Sequence, residues 1–289
     1  AGGRVVVLGT PAEEGGGGKI DLIRAGALDG VDAALMVHPA GTELTRMHTI
    51  AVQEVFATYH GHAAHAAAAP HEGRNALDAA VLGYQAVAAL RQHIRPTERV
   101  HGIFTEGGDK PNIVPARART EWMVRSDTIT TLQPLKARVE AALRSGAAAT
   151  GCDVTIEWKD VVYADMLDNE ALVARYAANA TALGRTPAEP TTDRTVTGST
   201  DMGNVSYVVP AIHPMIQAAP DGTPIHTTEF ERAACGPEGD RAVLDGAVAL
   251  AWTVADLWAG DGVLDAVQAE FEATLARVGP EARRSATGA

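Results

Sequence analysis

Apolar runs and glycine- or proline-marked breaks alternate along the chain in two distinct styles. Val5, Val6, Val7 and Leu8 form a continuous apolar run, the pattern of a parallel strand covered on both faces. A loop over Gly9–Gly18 comes next, then a helix over 19–27 and a second buried strand over 33–37 that runs into His38 and Pro39. Strand, loop, helix and strand make a βαβ unit. The style changes near residue 49. The stretch 50–59 is rich in β-branched and aromatic residues and predicts a longer strand. Asn75 is suited to cap a helix over 75–93, with Leu77, Val81, Tyr84 and Ala88 on one stripe. Strands over 99–105 and 113–125 come next, then a helix over 131–148 that aligns Leu132, Leu135, Val139 and Leu143. Val154, Ile156 and Trp158 alternate on a last strand.

The order β-α-β-β-α-β over roughly 110 residues is a split βαβ sandwich, self-contained and inserted into another domain. Past 164 the first style returns. Asp168 is placed to cap a helix ending at Leu183, and a Pro/Thr-rich loop continues to Thr197. A short helix over 199–206, a strand over 212–216, a long amphipathic helix over 237–258 and a charged final helix complete the chain. The predicted fold is α/β: a mostly parallel-sheet domain over 1–48 and 164–289, split by an α+β, ferredoxin-like (βαββαβ) domain over 49–163.

Composition narrows the function. The 289 residues are 46% hydrophobic, enough for two packed cores, and aromatics are only 4%, so alanine, valine and leucine must fill them. A net charge of −12 argues against a nucleic-acid surface, which needs clustered Lys and Arg. The two cysteines, Cys152 and Cys235, read as reduced thiols. No apolar run stands out at the ~20 residues that span a bilayer, and no signal peptide opens the sequence. The expectation is a cytoplasmic protein that binds neither nucleic acid nor membrane. Because residue 1 is alanine and a core strand is expected from residue 4, a missing N-terminal part is also expected.

Candidate chemistry begins with Glu13 and Glu14, two carboxylates at the end of a predicted parallel strand, where open α/β sheets place ligands. One could bind a metal while the other holds a water and takes its proton. An acidic, solvated turn before a glycine run is the plain alternative. His38, at the end of the next predicted strand, should stand beside them, and imidazole with carboxylate suits zinc, manganese or cobalt. His226 and His213 both sit in loops, and spacing does not choose between them. His62 and His65 lie between the first inserted strand and its helix, where a polar helix entrance is the plainer explanation.

In combination, these motifs resemble a known family. Gly9-Thr10-Pro11-Ala12-Glu13-Glu14-Gly15-Gly16-Gly17-Gly18-Lys19 resembles the glutamate loop of the aminoacylase/carboxypeptidase family of co-catalytic zinc hydrolases (peptidase family M20). The four glycines are most similar to its amidohydrolase branch, which includes p-aminobenzoyl-glutamate hydrolase and β-alanyl-lysine dipeptidase. Met36-Val37-His38-Pro39, Gly61-His62-Ala63-Ala64-His65-Ala66, Gly73-Arg74-Asn75, Gly107-Gly108, Asn112-Ile113-Val114-Pro115, Arg125, Ser199-Thr200-Asp201-Met202-Gly203-Asn204 and Ile225-His226-Thr227 follow the same pattern.

The resemblance implies a metal-dependent amidohydrolase or dipeptidase acting on an N-acyl amino acid, an aminobenzoyl-glutamate-like compound or a small dipeptide. It implies Glu13 as general base, with Glu14, His38 and His226 as ligands of two divalent metal ions, zinc first and manganese or cobalt as alternatives. His65 would donate to the oxyanion, and Asn112 and Arg125 would hold the substrate's carboxylate, a task that suits a planar guanidinium. The inserted domain would act as a lid and form a homodimer. His62 stands where relatives often carry lysine, and the family's remaining ligands precede the glutamate loop. The 289 residues alone are therefore expected to be inactive. A non-catalytic homologue that dimerises or binds a ligand is the rival expectation.

Overall fold

The computed structural model describes residues 3–191 and 196–288; the 192–195 part of the Pro/Thr-rich loop lies outside them. The chain divides into two compact units, Ala1–Thr49 with Asp165–Ala289, and Ile50–Ala164.

The first segment departs from expectation at once. Residues 4–8 form no strand, and Val5, Val6, Val7 and Leu8 are exposed, Val7 to 91%. A parallel strand exists only by bonding to a neighbour, and among the described residues none pairs with this run. The expected βαβ unit is therefore not formed. Helix α1 (Gly18–Arg24) comes next, succeeded by three short strands, β1 (Ala34–Leu35), β2 (His38–Ala40) and β3 (His48–Thr49).

The second unit starts with strand β4 (Ala51–His60) and helix α2 (Ala76–Leu90). Asn75 caps α2, its side chain accepting from the amides of Leu77 and Asp78. Strands β5 (Arg99–Glu106) and β6 (Arg117–Ser126), helix α3 (Ile129–Thr150) and strand β7 (Asp153–Tyr163) complete it. The four strands form one antiparallel sheet in the order β5-β6-β4-β7. Leu132, Leu135, Val139 and Leu143 of α3 are all buried, as their spacing predicts.

The stripe on α2 is different from the expected one. Val81 is exposed, and Ala76, Ala79, Ala80, Gly83 and Val87 are buried instead. Small residues win because α2 and α3 pack in close contact: a Cβ on Gly146 would fall 2.1 Å from the Ala79 carbonyl oxygen and 2.5 Å from the Gly83 amide. Backbone cannot yield as a flexible side chain does. Gly146→Ala is accordingly expected to destabilise this unit by about 1–3 kcal/mol, read from urea unfolding, the cost of forcing an extra carbon into a packed interface. An unchanged midpoint would contradict the packing.

The chain then returns to the first unit. Helix α4 (Glu170–Ala182) is capped by Asn169, whose side chain accepts from the Leu172 amide, rather than by the expected Asp168. Strand β8 (Thr197–Gly198), helix α5 (Met202–Ser206), strands β9 (Ala211–Ile212) and β10 (Met215–Gln217) and helix α6 (Thr228–Ala234) follow, then α7 (Pro237–Ala259) and α8 (Val263–Thr287). The pairs β1–β9, β2–β10 and β3–β8 are all parallel. His213 and Pro214 interrupt what the sequence suggested as one strand, leaving β9 and β10 separate.

Helix α7 is long and apolar enough, by length and composition, to cross a bilayer, which corrects the expectation that no such segment exists. Here it buries Ala242, Gly246, Ala249, Thr253 and Leu257 on one face and exposes Val243, Leu244 and Trp252 on another. Asp245 on this helix pairs with Arg185, 2.8 Å away.

Candidate active site

The glutamate loop is a closed turn. The Ala12 carbonyl accepts from the amides of Gly16 (2.9 Å) and Gly17 (2.8 Å), which brings residues 12 to 17 into a tight loop displaying Glu13 and Glu14. Gly17 is left-handed at φ 64, and a Cβ on Gly18 would sit 2.0 Å from the Pro11 carbonyl oxygen. Glycine takes the left-handed backbone at 17 without strain, and at 18 it leaves the room a Cβ would fill. Glu13 is half-buried and Glu14 exposed.

His226 approaches this turn from the segment before α6. Its Nε2 lies 3.9 Å from Glu14 Oε2, although 212 positions (226 − 14) separate the two residues. His226 has φ 62, a left-handed backbone that a non-glycine residue rarely adopts, and Thr227 beside it caps α6 through the Phe230 amide. Two donors bound to a common cation at ~2.0–2.2 Å each stand roughly 3–4 Å apart. The carboxylate and imidazole thus have the chemistry and the spacing to share one divalent ion.

His38 does not join them. It opens β2, bonds through Nδ1 to the Pro39 carbonyl oxygen (2.8 Å), and packs against His213 with ring centroids 5.5 Å apart. Among the described residues, no group of three or more His, Cys, Asp or Glu side chains could hold a metal ion. The expectation that His38 stands beside the two glutamates relied on a shared sheet edge, and without a strand over 4–8 that edge is not formed. His213 is almost fully buried, and neither ring nitrogen has a hydrogen-bond partner among the described residues. Burial, helped by the neighbouring His38, pushes its pKa down to about 3. It is a neutral core histidine.

Two residues that did not stand out in the sequence lie directly behind the glutamate turn. Lys19 and Asp201 form a buried ion pair, Nζ to Oδ1 2.7 Å, and Asp201 Oδ2 also accepts from the Lys19 amide at 2.9 Å. The glutamate-loop motif ends on Lys19 and the Ser199–Asn204 motif contains Asp201, but nothing in the sequence pairs positions so far apart.

The remaining candidates lie in the second unit. His65 is exposed, and its Nδ1 accepts from the amides of Ala67 (3.3 Å) and Ala68 (3.2 Å). With Nδ1 an acceptor, a neutral ring carries its proton on Nε2 and can donate from there. His62 is exposed and exchanges backbone hydrogen bonds with Arg74. Asn112 is exposed beside His65, its carbonyl accepting from the Ala66 amide.

Arg125 lies elsewhere. It sits near the far end of β6, opposite Val52, and burial lowers its pKa while nearby Glu54 opposes the shift. Eight steps of strand from Arg117 to Arg125 cover roughly 27 Å, and Asn112 precedes that strand. Asn112 and Arg125 of one chain therefore cannot grip one small carboxylate, which corrects the joint role expected of them.

Known proteins resemble the chain over most of its length. Residues 53–150 match the peptidase dimerisation domain of M20 enzymes. The chain is 42% identical to the Xaa-Arg dipeptidase of Mus musculus, over 94% of this chain and 63% of the relative. It is 29% identical to one subunit of the p-aminobenzoyl-glutamate hydrolase of Escherichia coli K12, over 94% of this chain and 68% of the relative. A dinuclear metal-binding peptidase of the M20 family from Bacillus subtilis shares the fold, with a TM-score of 0.56 and 16% identity over 84% of this chain and 63% of that one. The chain thus spans less than two thirds of the length of the dipeptidase it resembles.

Proposed function

Since the chain belongs to the M20 peptidase family, we propose that it is part of a metal-dependent amidohydrolase that cleaves a small dipeptide or N-acyl amino acid. The observation that carries this reading is that His226 lies 3.9 Å from Glu14, on the turn that also presents Glu13. Dipeptides ending in arginine are the first substrates to try, given the name of the mouse relative, and aminobenzoyl-glutamate the second.

Glu14 and His226 would hold one ion, zinc by preference with manganese or cobalt as substitutes, and the remaining ligands would come from outside the described residues. A bound divalent ion supplies Lewis acidity toward the scissile carbonyl and the attacking water. The chain's own groups do the rest. Glu13, next to Glu14 on the same turn, accepts the water's proton and returns it to the leaving amine. His65 is assigned, from the motif it sits in, the role of donor to the oxyanion that develops on the carbonyl. Asn112, beside His65, would orient the substrate. The unit carrying these two residues would dimerise, and its strand order supports a ferredoxin-like lid.

Metal content and hydrolysis test the proposal together. Glu14→Gln or His226→Ala is expected to weaken zinc binding by at least about tenfold, since losing a ligand should cost no less than losing a ligand's supporting partner. Equilibrium dialysis reads that change, and a dipeptide panel reads turnover. Unchanged zinc binding in both variants would remove the proposed ion from this pair. A non-catalytic homologue is favoured by one fact, that no three-ligand group forms among the described residues. That reading requires zinc to stay unbound and the dipeptides uncleaved even when the rest of a relative-length protein is present.

A further inference from the structure

Two carboxylate–base pairs meet near the glutamate turn, and only one faces solvent. The other, Lys19 with Asp201, is fully enclosed: side-chain exposures are 8% and 0%. Asp201 stands at the N-cap position of α5 yet makes no capping bond to that helix. Thr200 Oγ1 takes the Met202 amide instead. Asp201 spends both oxygens across the fold, one on the Lys19 ammonium and one on the Lys19 amide, in the first turn of α1. Gly17 at the start of α1 has no side chain to cap it.

The anchor is coupled to the carboxylates by a short and stiff path. Lys19 follows Gly18, which is pressed against the Pro11 carbonyl oxygen, and the Ala12 carbonyl clamps Gly16 and Gly17. A single residue, Gly18, separates the anchored Lys19 from the clamped Gly17. We propose that Asp201 is a positioning residue: through Lys19 it fixes the turn carrying Glu13 and Glu14, and so sets where the two carboxylates stand relative to His226. This builds on the assignment of that turn as catalytic, while the anchoring itself can be measured apart from catalysis.

Hydrogen exchange on the 289-residue chain gives that separate readout. In Asp201→Ala, exchange of the peptide covering 9–22 should rise at least about tenfold, a local opening that leaves the rest of the unit protected. Zinc affinity should fall by about tenfold or more, as when a ligand loses its support. Leu135→Ala, which damages the core of the other unit, should leave both readouts within about twofold, because distant sites act independently. Should Asp201→Ala fail to fold, Lys19→Met/Asp201→Asn against Lys19→Met/Asp201→Ala makes the comparison without a buried charge. The amide oxygen in the first double variant keeps the backbone bond and should restore protection of 9–22, while the second should not.

Unaltered exchange over 9–22 in the aspartate-to-alanine variants, or an equal rise in Leu135→Ala, would overturn the proposal. If exchange responds as expected while the wild type and a relative-length protein bind no zinc, anchoring stands and the hydrolase assignment falls.

Discussion

Glu13→Gln is expected to lower amide hydrolysis by about 100-fold or more while zinc affinity stays within about threefold of wild type. Glutamine keeps the shape of the side chain and removes only its capacity to take a proton. Glu14 and His226, the pair suited to a cation, are left in place at 3.9 Å. Steady-state kinetics on a dipeptide and dialysis against zinc, both on an active relative-length protein, separate the two effects. Turnover within about threefold of wild type would hand the proton transfer to another group, with Glu14 the first to test.

Trp122→Ala is expected to cost about 3–5 kcal/mol, most of it in the second unit. The indole is 1% exposed, donates from Nε1 to Thr120 Oγ1 at 2.8 Å and lies 5.2 Å from the Tyr84 ring. Gly102 on the neighbouring strand makes room for it, since a Cβ there would fall 2.3 Å from the ring. Truncation therefore leaves a large void walled by strands on which little can collapse. Guanidinium unfolding gives the number, and a loss below about 1 kcal/mol would mean that the cavity heals.

The sequence was most informative where interactions are local. Asn75 caps the helix three residues ahead of its first carboxylate, and the α3 stripe buries every leucine and valine assigned to it. Both depend on neighbours within one or two turns. The failures share the opposite cause. Val5–Leu8 has the composition of a core strand, but hydrogen bonds from another strand, not composition, make a strand. The α2 stripe went wrong because facing glycines, Gly83 and Gly146, decided how near two helices could come. At the candidate site, motif resemblance picked out Glu13, Glu14 and His226, and the fold places the last two together. It also grouped His38 with them, where the structure gives His38 a histidine neighbour instead. Asn112 and Arg125 are thirteen positions apart (125 − 112), and only the strand between them shows how far that carries. Lys19 and Asp201 stay hidden in the sequence because a buried pair has no periodicity to betray it.

The chain leaves the first unit at Thr49 and re-enters it at Asp165, and the two crossing points adjoin. Met166 donates its amide to Thr49 Oγ1 at 2.6 Å, and within the inserted unit Val52 is in register with Tyr163. This has a kinetic meaning. An unstructured insertion would oblige Thr49 and Met166 to find each other across a long coil, with a closure cost that grows as the logarithm of its length. Within the inserted sheet the first and last strands are paired, so its two chain ends leave from neighbouring strands. A folded insertion thereby shortens the loop that must be closed before Met166 can bond to Thr49.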